Sequence, residues 1–197
     1  MLDLSQVTLI ALTSKDYEGH KRALDEASRD IKWGARKIIF DLDCTSIDIW
    51  NYKIVYELTH YVQTPFAFLF HADGYPINPE CWRDEWLDYD FIGAPWPLPQ
   101  DNFSYLDDLG RLQRVGNSVS LRSKRLLDAP TRLNLPWRAY YGYTNEDGFL
   151  MCHNRSILEA HGIRVAPLEE ACLFSKEHRI PENESIEKTF AFHQVDQ

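Results

Sequence analysis

Phe66-Ala-Phe-Leu-Phe-His-Ala-Asp73-Gly74-Tyr-Pro-Ile-Asn-Pro79 is an unbroken apolar run that meets an acid, then a glycine and two prolines. A run of this length and character reads as a strand buried on both faces, and Gly74 with the prolines ends it abruptly. Asp73 is therefore delivered at the C-terminal end of a central strand, where open α/β sheets bind ligands. An uncompensated carboxylate in that place is costly, so Asp73 is expected to face a cation or a polar ligand.

Upstream, Val7-Thr-Leu-Ile-Ala-Leu-Thr13 reads as a buried strand ending in Thr13-Ser14. Residues 16–31 have helical spacing, with Tyr17, Leu24, Ala27 and Ile31 on one face, and Lys37-Ile-Ile-Phe-Asp41 is a second strand. Strand, helix and strand in this order imply a right-handed parallel crossover and an α/β fold. A helical stripe of Ile54, Val55, Leu58, Tyr61 and Val62 then leads into the Asp73 strand as a second crossover. Downstream the pattern is less regular. A short helix is expected over 80–87 and a strand over 89–93, running into Ala94-Pro-Trp96-Pro97. Residues 97–114, with Pro, Gln, Asn and several Asp, have the composition of a mobile loop. Helices are expected near 123–129 and over 146–161, the second closed by Gly162, and a short strand over 164–167. With no repeat and no low-complexity segment, residues 1–197 read as one domain.

The balance of 21 basic against 30 acidic residues gives a net charge of −9, and no cluster of Lys or Arg interrupts it. That argues against nucleic acid or an anionic membrane surface as partner. No apolar run approaches the length of a membrane span, and the N-terminus lacks the pattern of a signal peptide. The four cysteines are scattered without zinc-ligand spacing, so free thiols in a cytoplasmic setting are expected. Six tryptophans are more than a core of this size needs, and part of the surplus is expected to line a cleft.

Four groups of residues could carry chemistry. Ile38-Ile-Phe-Asp41-Leu-Asp43-Cys-Thr45 matches the D-x-D-x-T pattern of phosphatases, in which the first Asp is the nucleophile and the second an acid or base. The pattern normally opens its domain, whereas here a strand and a helix precede it, so Asp41 reads sooner as a structural cap, or as a ligand contact of another kind, than as a phosphatase nucleophile. Asp73 reads as a metal ligand or a turn cap. Asn145-Glu146-Asp147-Gly148 puts two acids at a helix start, where the dipole favours them in any case. There a carboxylate also suits a general base that takes the proton from an attacking hydroxyl. Asp147 is the first choice for that base and Glu146 the alternative. His193, in Phe190-Ala-Phe-His193, reads as a packed residue or as an imidazole ligand for a Mn²⁺-like ion. Gly116-Asn117 reads as a tight turn, or as backbone brought close to a phosphate or sugar.

In order along the chain, Asp73-Gly74, Tyr89-Asp-Phe-Ile-Gly-Ala-Pro-Trp96, Gly116-Asn-Ser-Val-Ser-Leu-Arg-Ser123, Asn145-Glu-Asp147, Phe174-Ser-Lys-Glu177 and Phe190-Ala-Phe-His193 resemble the motif series of a family of bacterial glycosyltransferases with the GT-A fold. The resemblance covers about residues 54 to 193. It departs from the family at Ser118 and Ala191, where glycine is frequent, and at His71-Ala-Asp73, where the customary D-x-D keeps only its final acid.

The resemblance implies a single-domain, GT-A-like (Rossmann-like) α/β fold, a mixed sheet flanked by helices. The nucleotide-binding half would span about residues 1–80 and the acceptor half about 81–197. Thr13, Ser14 and Asp41 would line the nucleotide pocket, with Gly116 and Asn117 near the donor. Asp73 and His193 would hold a divalent metal, Mn²⁺ or Mg²⁺, on the diphosphate of a nucleotide-sugar co-substrate. Asp147 would act as base for an inverting transfer to a glycan or other hydroxyl acceptor, with Trp96 and the 97–114 loop over the acceptor. The setting would be polysaccharide biosynthesis, as a complete enzyme or as one part of a larger glycan-assembly enzyme. The D-x-D-x-T phosphatase and a non-catalytic sugar- or nucleotide-binding module are the alternatives.

Overall fold

The apolar run becomes β3 (Phe66–Leu69), the middle strand of a five-stranded sheet. In the computed structural model, which describes residues 1–138 and 145–194, β3 pairs in parallel with β1 (Leu2–Thr13) and antiparallel with β5 (Val115–Ser123). β2 (Ile31–Phe40) lies parallel to β1 at one edge, and β4 (Phe91–Pro95) antiparallel to β5 at the other. The sheet is therefore mixed, in the order β2-β1-β3-β5-β4.

Both faces of β3 are covered, as its composition demands. Phe68 packs on one side with Trp33, Trp86, Phe174 and Phe190, while Ala67 and Leu69 pack on the other with Ile10, Ile54, Leu58 and Leu127. The first face carries α1 (Tyr17–Glu26) and α6 (Leu168–Phe174); the second carries α2 (Ile47–Tyr56) and α3 (Lys124–Arg132). Asp16, Ser46 and Ser123 cap α1, α2 and α3, each side chain accepting a hydrogen bond from a first-turn N–H. Leu173, at the end of α6, precedes a parallel two-strand ladder of β6 (Ser175–Lys176) and β7 (Ala191–Phe192).

Several elements differ from the sequence expectation. Ile31 opens β2 instead of closing the first helix, because its pairing with Leu2 in the sheet outweighs its helical spacing. Residues 80–87 form two one-turn 3₁₀ segments, Pro79–Cys81 and Asp84–Asp88, and 164–167 contribute one bridge, Val165 to Phe91. The helix expected over 146–161 is broken into α4 (Glu146–Gly148), a π turn (Phe149–His153) and α5 (Arg155–Ala160). Asn154 donates its side-chain N–H to the Phe149 carbonyl and competes with the regular ladder there. Gly162 does close the segment, in a left-handed conformation at φ 80°.

Residues 97–114 are held more firmly than their composition suggests. The buried Asp107 carboxylate accepts hydrogen bonds from the backbone N–H groups of Leu109 and Arg111 and from the Arg111 and Gln113 side chains. Arg111 and Asp108 then tie the loop to Glu159 and Ser156 on α5. All four cysteines are free thiols. Among the described residues no helix is long and apolar enough to cross a membrane.

Candidate active site

Two adjoining cavities open at the C-terminal end of the parallel strands. The larger, about 570 Å³, is lined by Thr13 and Ser14 after β1, Ser46 and Trp50 of α2, and Asp73 after β3. The smaller, about 390 Å³, is lined by Trp96, Phe103, Tyr105, Asn117, His153 and Glu177. Ser118, Asn145, Asp147 and His193 border both. These four residues form the seam across which groups in the two cavities would meet.

Asp147 and Glu146 are adjacent in sequence and opposite in environment. Glu146 is 1% exposed, and its carboxylate lies 2.8 Å from the guanidinium of the fully buried Arg122. It borders neither cavity. Asp147 points into the seam, accepting hydrogen bonds from the Gly148 N–H at 2.7 Å and the Asn117 N–H at 3.1 Å. Burial pushes its carboxyl up to about 7, and the Glu146 charge adds to the rise. The Gly148 N–H, the Arg122 charge and the Asn117 N–H pull the other way. A carboxyl poised near 7 matches the requirement for a general base at neutral pH.

Asn117 reaches Asp147 through a bulge. Pairing of β4 with β5 runs regularly through Gly93 and Ser120, then jumps so that Pro95 faces Val115. The extra length is taken up around Gly116, Asn117 and Ser118, with Asn117 at φ 79° and its own side chain accepting from the Val119 N–H. Such bulges re-aim backbone groups beside active sites. Gly116 serves packing: a Cβ there would lie 1.8 Å from the Trp96 ring, and Gly116 itself borders neither cavity. Trp96, 6% exposed, stacks on Tyr105 at 4.8 Å and 16°. Of the six tryptophans, Trp50 and Trp96 border the cavities, whereas Trp33 and Trp86 are core.

Asp73 and His193, 120 residues apart in the chain by subtraction, are brought together by the C-terminal segment. The Gln194 N–H donates to the Asp73 carbonyl, and the Gln194 side chain donates to the Asp73 carboxylate at 2.6 Å. His193 Nε2 lies 3.8 Å from Asp73 Oδ1. Gly74 makes room for this, since a Cβ there would meet the His193 ring at 2.7 Å. Burial works to raise the Asp73 carboxyl, but the Gln194 hydrogen bond and the His193 ring hold it below the usual range.

The ladder of β6 and β7 pairs Lys176 with Phe192, so Glu177 and His193 follow as neighbours, with His193 Nδ1 3.1 Å from Glu177 Oε1. His71 stacks on His193 at 5.2 Å. Burial drives its imidazole down to about 3, so it is neutral, and its Nε2 has no hydrogen-bond partner. A carboxylate and an imidazole beside an orphaned ring nitrogen fit a divalent ion that keeps water and substrate oxygens among its ligands. Among the described residues no group of three or more His, Cys, Asp or Glu is assembled as a ready cage.

Asp41 stands apart. Its carboxylate is 2.7 Å from Lys53 and accepts from the Asp43 N–H, and the only cavity among those described that it borders is about 10 Å³, too small for a phosphoryl substrate. Sequence reasoning did not assign Glu177, Ser118 or Gln194. Glu177 stands in the motif series without a role, and the ladder register supplies one, since two rungs place it beside His193.

A family model described as a protein of unknown function (DUF5672) matches residues 53–193, nearly the stretch over which the motif series runs. No curated protein matches the chain. A crystal structure of a glycosyltransferase involved in the glycosylation of the major capsid of PBCV-1 superposes with a TM-score of 0.60 at 10% identity, covering 97% of this chain and 93% of that one. The two chains share a fold.

Proposed function

The chain belongs to the DUF5672 family of proteins of unknown function, and on that premise we propose that it is a glycosyltransferase moving a sugar from a nucleotide-sugar to a hydroxyl of a glycan acceptor. The observation that carries this reading is Asp147 at the seam of two cavities, with a carboxyl poised near 7. The fold shared with a known glycosyltransferase supports it.

In this reading the nucleotide-sugar occupies the larger cavity, with Thr13 and Ser14 at its nucleotide end, and the acceptor occupies the smaller. Asp147 takes the proton of the acceptor hydroxyl as that oxygen attacks the sugar carbon. Direct displacement from the opposite face gives inversion. The two backbone N–H groups that hold the Asp147 carboxylate fix its direction, which matters because general-base efficiency depends on alignment. Tyr105 and Phe103, from the tied 97–114 loop, cover the acceptor side and keep water from competing with it. Asp73 and His193 would hold a Mn²⁺ or Mg²⁺ ion, which supplies charge stabilisation to the departing nucleoside diphosphate. The Asp41/Asp43 phosphatase reading gains no support, since Asp41 faces Lys53 and, of the cavities described, borders one of only about 10 Å³.

Thermal shift against nucleoside diphosphates and sugar nucleotides, each with and without Mn²⁺, tests the proposal. A ligand at about a hundred times its dissociation constant stabilises by roughly 2.7 kcal/mol. Metal-dependent stabilisation by one nucleotide class is expected. No response to any nucleotide would overturn the reading.

A further inference from the structure

We propose that the smaller cavity selects an electrically neutral sugar and rejects sugars that carry a phosphate or carboxylate. This deepens the transferase reading and relies on it only for the reaction, not for the binding.

The lining of the cavity combines aromatic rings with acidic groups. Tyr105, backed by the stacked Trp96, and Phe103 offer apolar ring surface of the kind on which the C–H face of a sugar packs. The same lining holds the carboxylates of Asp147 and Glu177, acceptors well matched to sugar hydroxyl donors.

Among the described lining residues none is Lys or Arg, and the sequence of 139–144, Ala-Tyr-Tyr-Gly-Tyr-Thr, adds no charge. The nearby guanidiniums are committed elsewhere. Arg122 faces Glu146 at 2.8 Å, Arg155 bonds Glu159 at 2.7 Å, and Arg114 pairs with Glu182 at 3.2 Å. His153 contributes no positive charge either, since burial holds its imidazole down to about 4. An anion placed here meets two acidic groups and no Lys or Arg in a partly desolvated site, where like-charge juxtaposition is strongly unfavourable. A divalent ion in the neighbouring cavity at most balances the diphosphate bound there, so the sign of the smaller cavity stays negative.

The test is saturation-transfer NMR and competition binding on the full chain at pH 7.5, with a nucleoside diphosphate and Mn²⁺ held constant. The probes are the methyl glycosides of glucose, galactose and mannose, the corresponding hexose 6-phosphates, and glucuronic and galacturonic acids. Neutral sugars are expected to bind at least about tenfold tighter than their anionic counterparts. The gap should shrink between about 0.02 M and about 0.3 M salt as screening rises. His178 lines the cavity, is 39% exposed, and lies 3.4 Å from Glu177, so His178→Lys sets a cation on this wall and should narrow the gap further. Equal or tighter binding of the anions would overturn the proposal, as would a gap that ignores both salt and His178→Lys, which marks steric exclusion. So would the absence of binding by every sugar. Nucleotide stabilisation in the same samples would then leave the transferase reading intact. Neutral-sugar binding with the expected salt dependence but no nucleotide response would support this inference and count against the transferase.

Discussion

On the side of the larger cavity, several groups sit at the ends of regular elements: Thr13 and Ser14 at the end of β1, Ser46 and Trp50 at the start of α2, Asp73 in the turn after β3. On the side of the smaller cavity the sources are a bulge for Asn117, a single helical turn for Asp147, a two-rung ladder for Glu177 and a knotted-down loop for Tyr105. Thr13, Ser14 and Trp50 in the first wall are anchored to the sheet and to α2, whereas Asp73 also depends on its hydrogen bonds from Gln194. The second is set by local hydrogen bonds and ion pairs, each of which one substitution can remove. In the proposed reading, this contrast would suit a nucleotide end that stays constant and an acceptor end that is free to vary.

The pair Glu146 and Asp147 offers the sharpest way to break this comparison. Asp147→Asn removes the base while keeping both backbone donors nearby, and the rate of transfer should fall on the order of 10²–10⁴-fold. Nucleotide binding should hold and melting temperature should not fall, because Asn keeps the shape of the side chain and one oxygen to accept a backbone N–H. Glu146→Gln should do the reverse. It leaves Arg122 buried without its counter-ion, and the expected loss is about 3–5 kcal/mol of stability, read by denaturant unfolding. A stable, inactive Glu146 variant would exchange the two roles.

The two glycines probe one wall each. Gly116→Ala drives a methyl into the Trp96 ring and should cost about 1–3 kcal/mol, with acceptor affinity reduced and nucleotide affinity retained. Gly74→Ala presses on Val119 and on the His193 ring, so Mn²⁺-dependent stabilisation by nucleotides should weaken while binding in the smaller cavity persists. If both variants lose both ligands together, the two walls are not independent.

The legibility of the chain follows the same division. The parallel half was readable because buried strands of β-branched and aromatic residues alternate with capped helices, and Asp73 had to follow the central strand. The bulge at 116–118 was not readable, since Gly-Asn is compatible with a plain turn, and only the pairing offset between β4 and β5 reveals it. Nor could sequence separate Glu146 from Asp147. Both suit a helix start, and the choice depends on Arg122, which reads as an ordinary strand residue until its burial is known. The surplus of tryptophan proved a weak guide, because half-buried and core rings look alike in a composition.

A smaller effect concerns pH. The Asp147 carboxyl in the folded protein is pushed up to about 7, above its unfolded value, so the folded state holds the proton more tightly. Between about pH 4 and 7 folding therefore retains a proton that unfolding releases, and this group's contribution to stability is lost as pH rises through that window. Asp147→Asn should flatten that part of the stability profile, measured by melting temperature against pH.

The central claim is that Asp147 is the base of a sugar transfer at the seam, and the most direct test is nucleoside diphosphate release from a sugar-nucleotide panel with Mn²⁺ and a neutral acceptor, followed from pH 5.5 to 8.5 in the native chain and in Asp147→Asn. The account predicts turnover of one nucleotide class, acceptor-dependent and rising through about pH 7 as the carboxyl loses its proton, and near-complete loss in the variant with nucleotide binding kept. Turnover by Asp147→Asn at the native rate, or a native pH profile flat through neutrality, would contradict it.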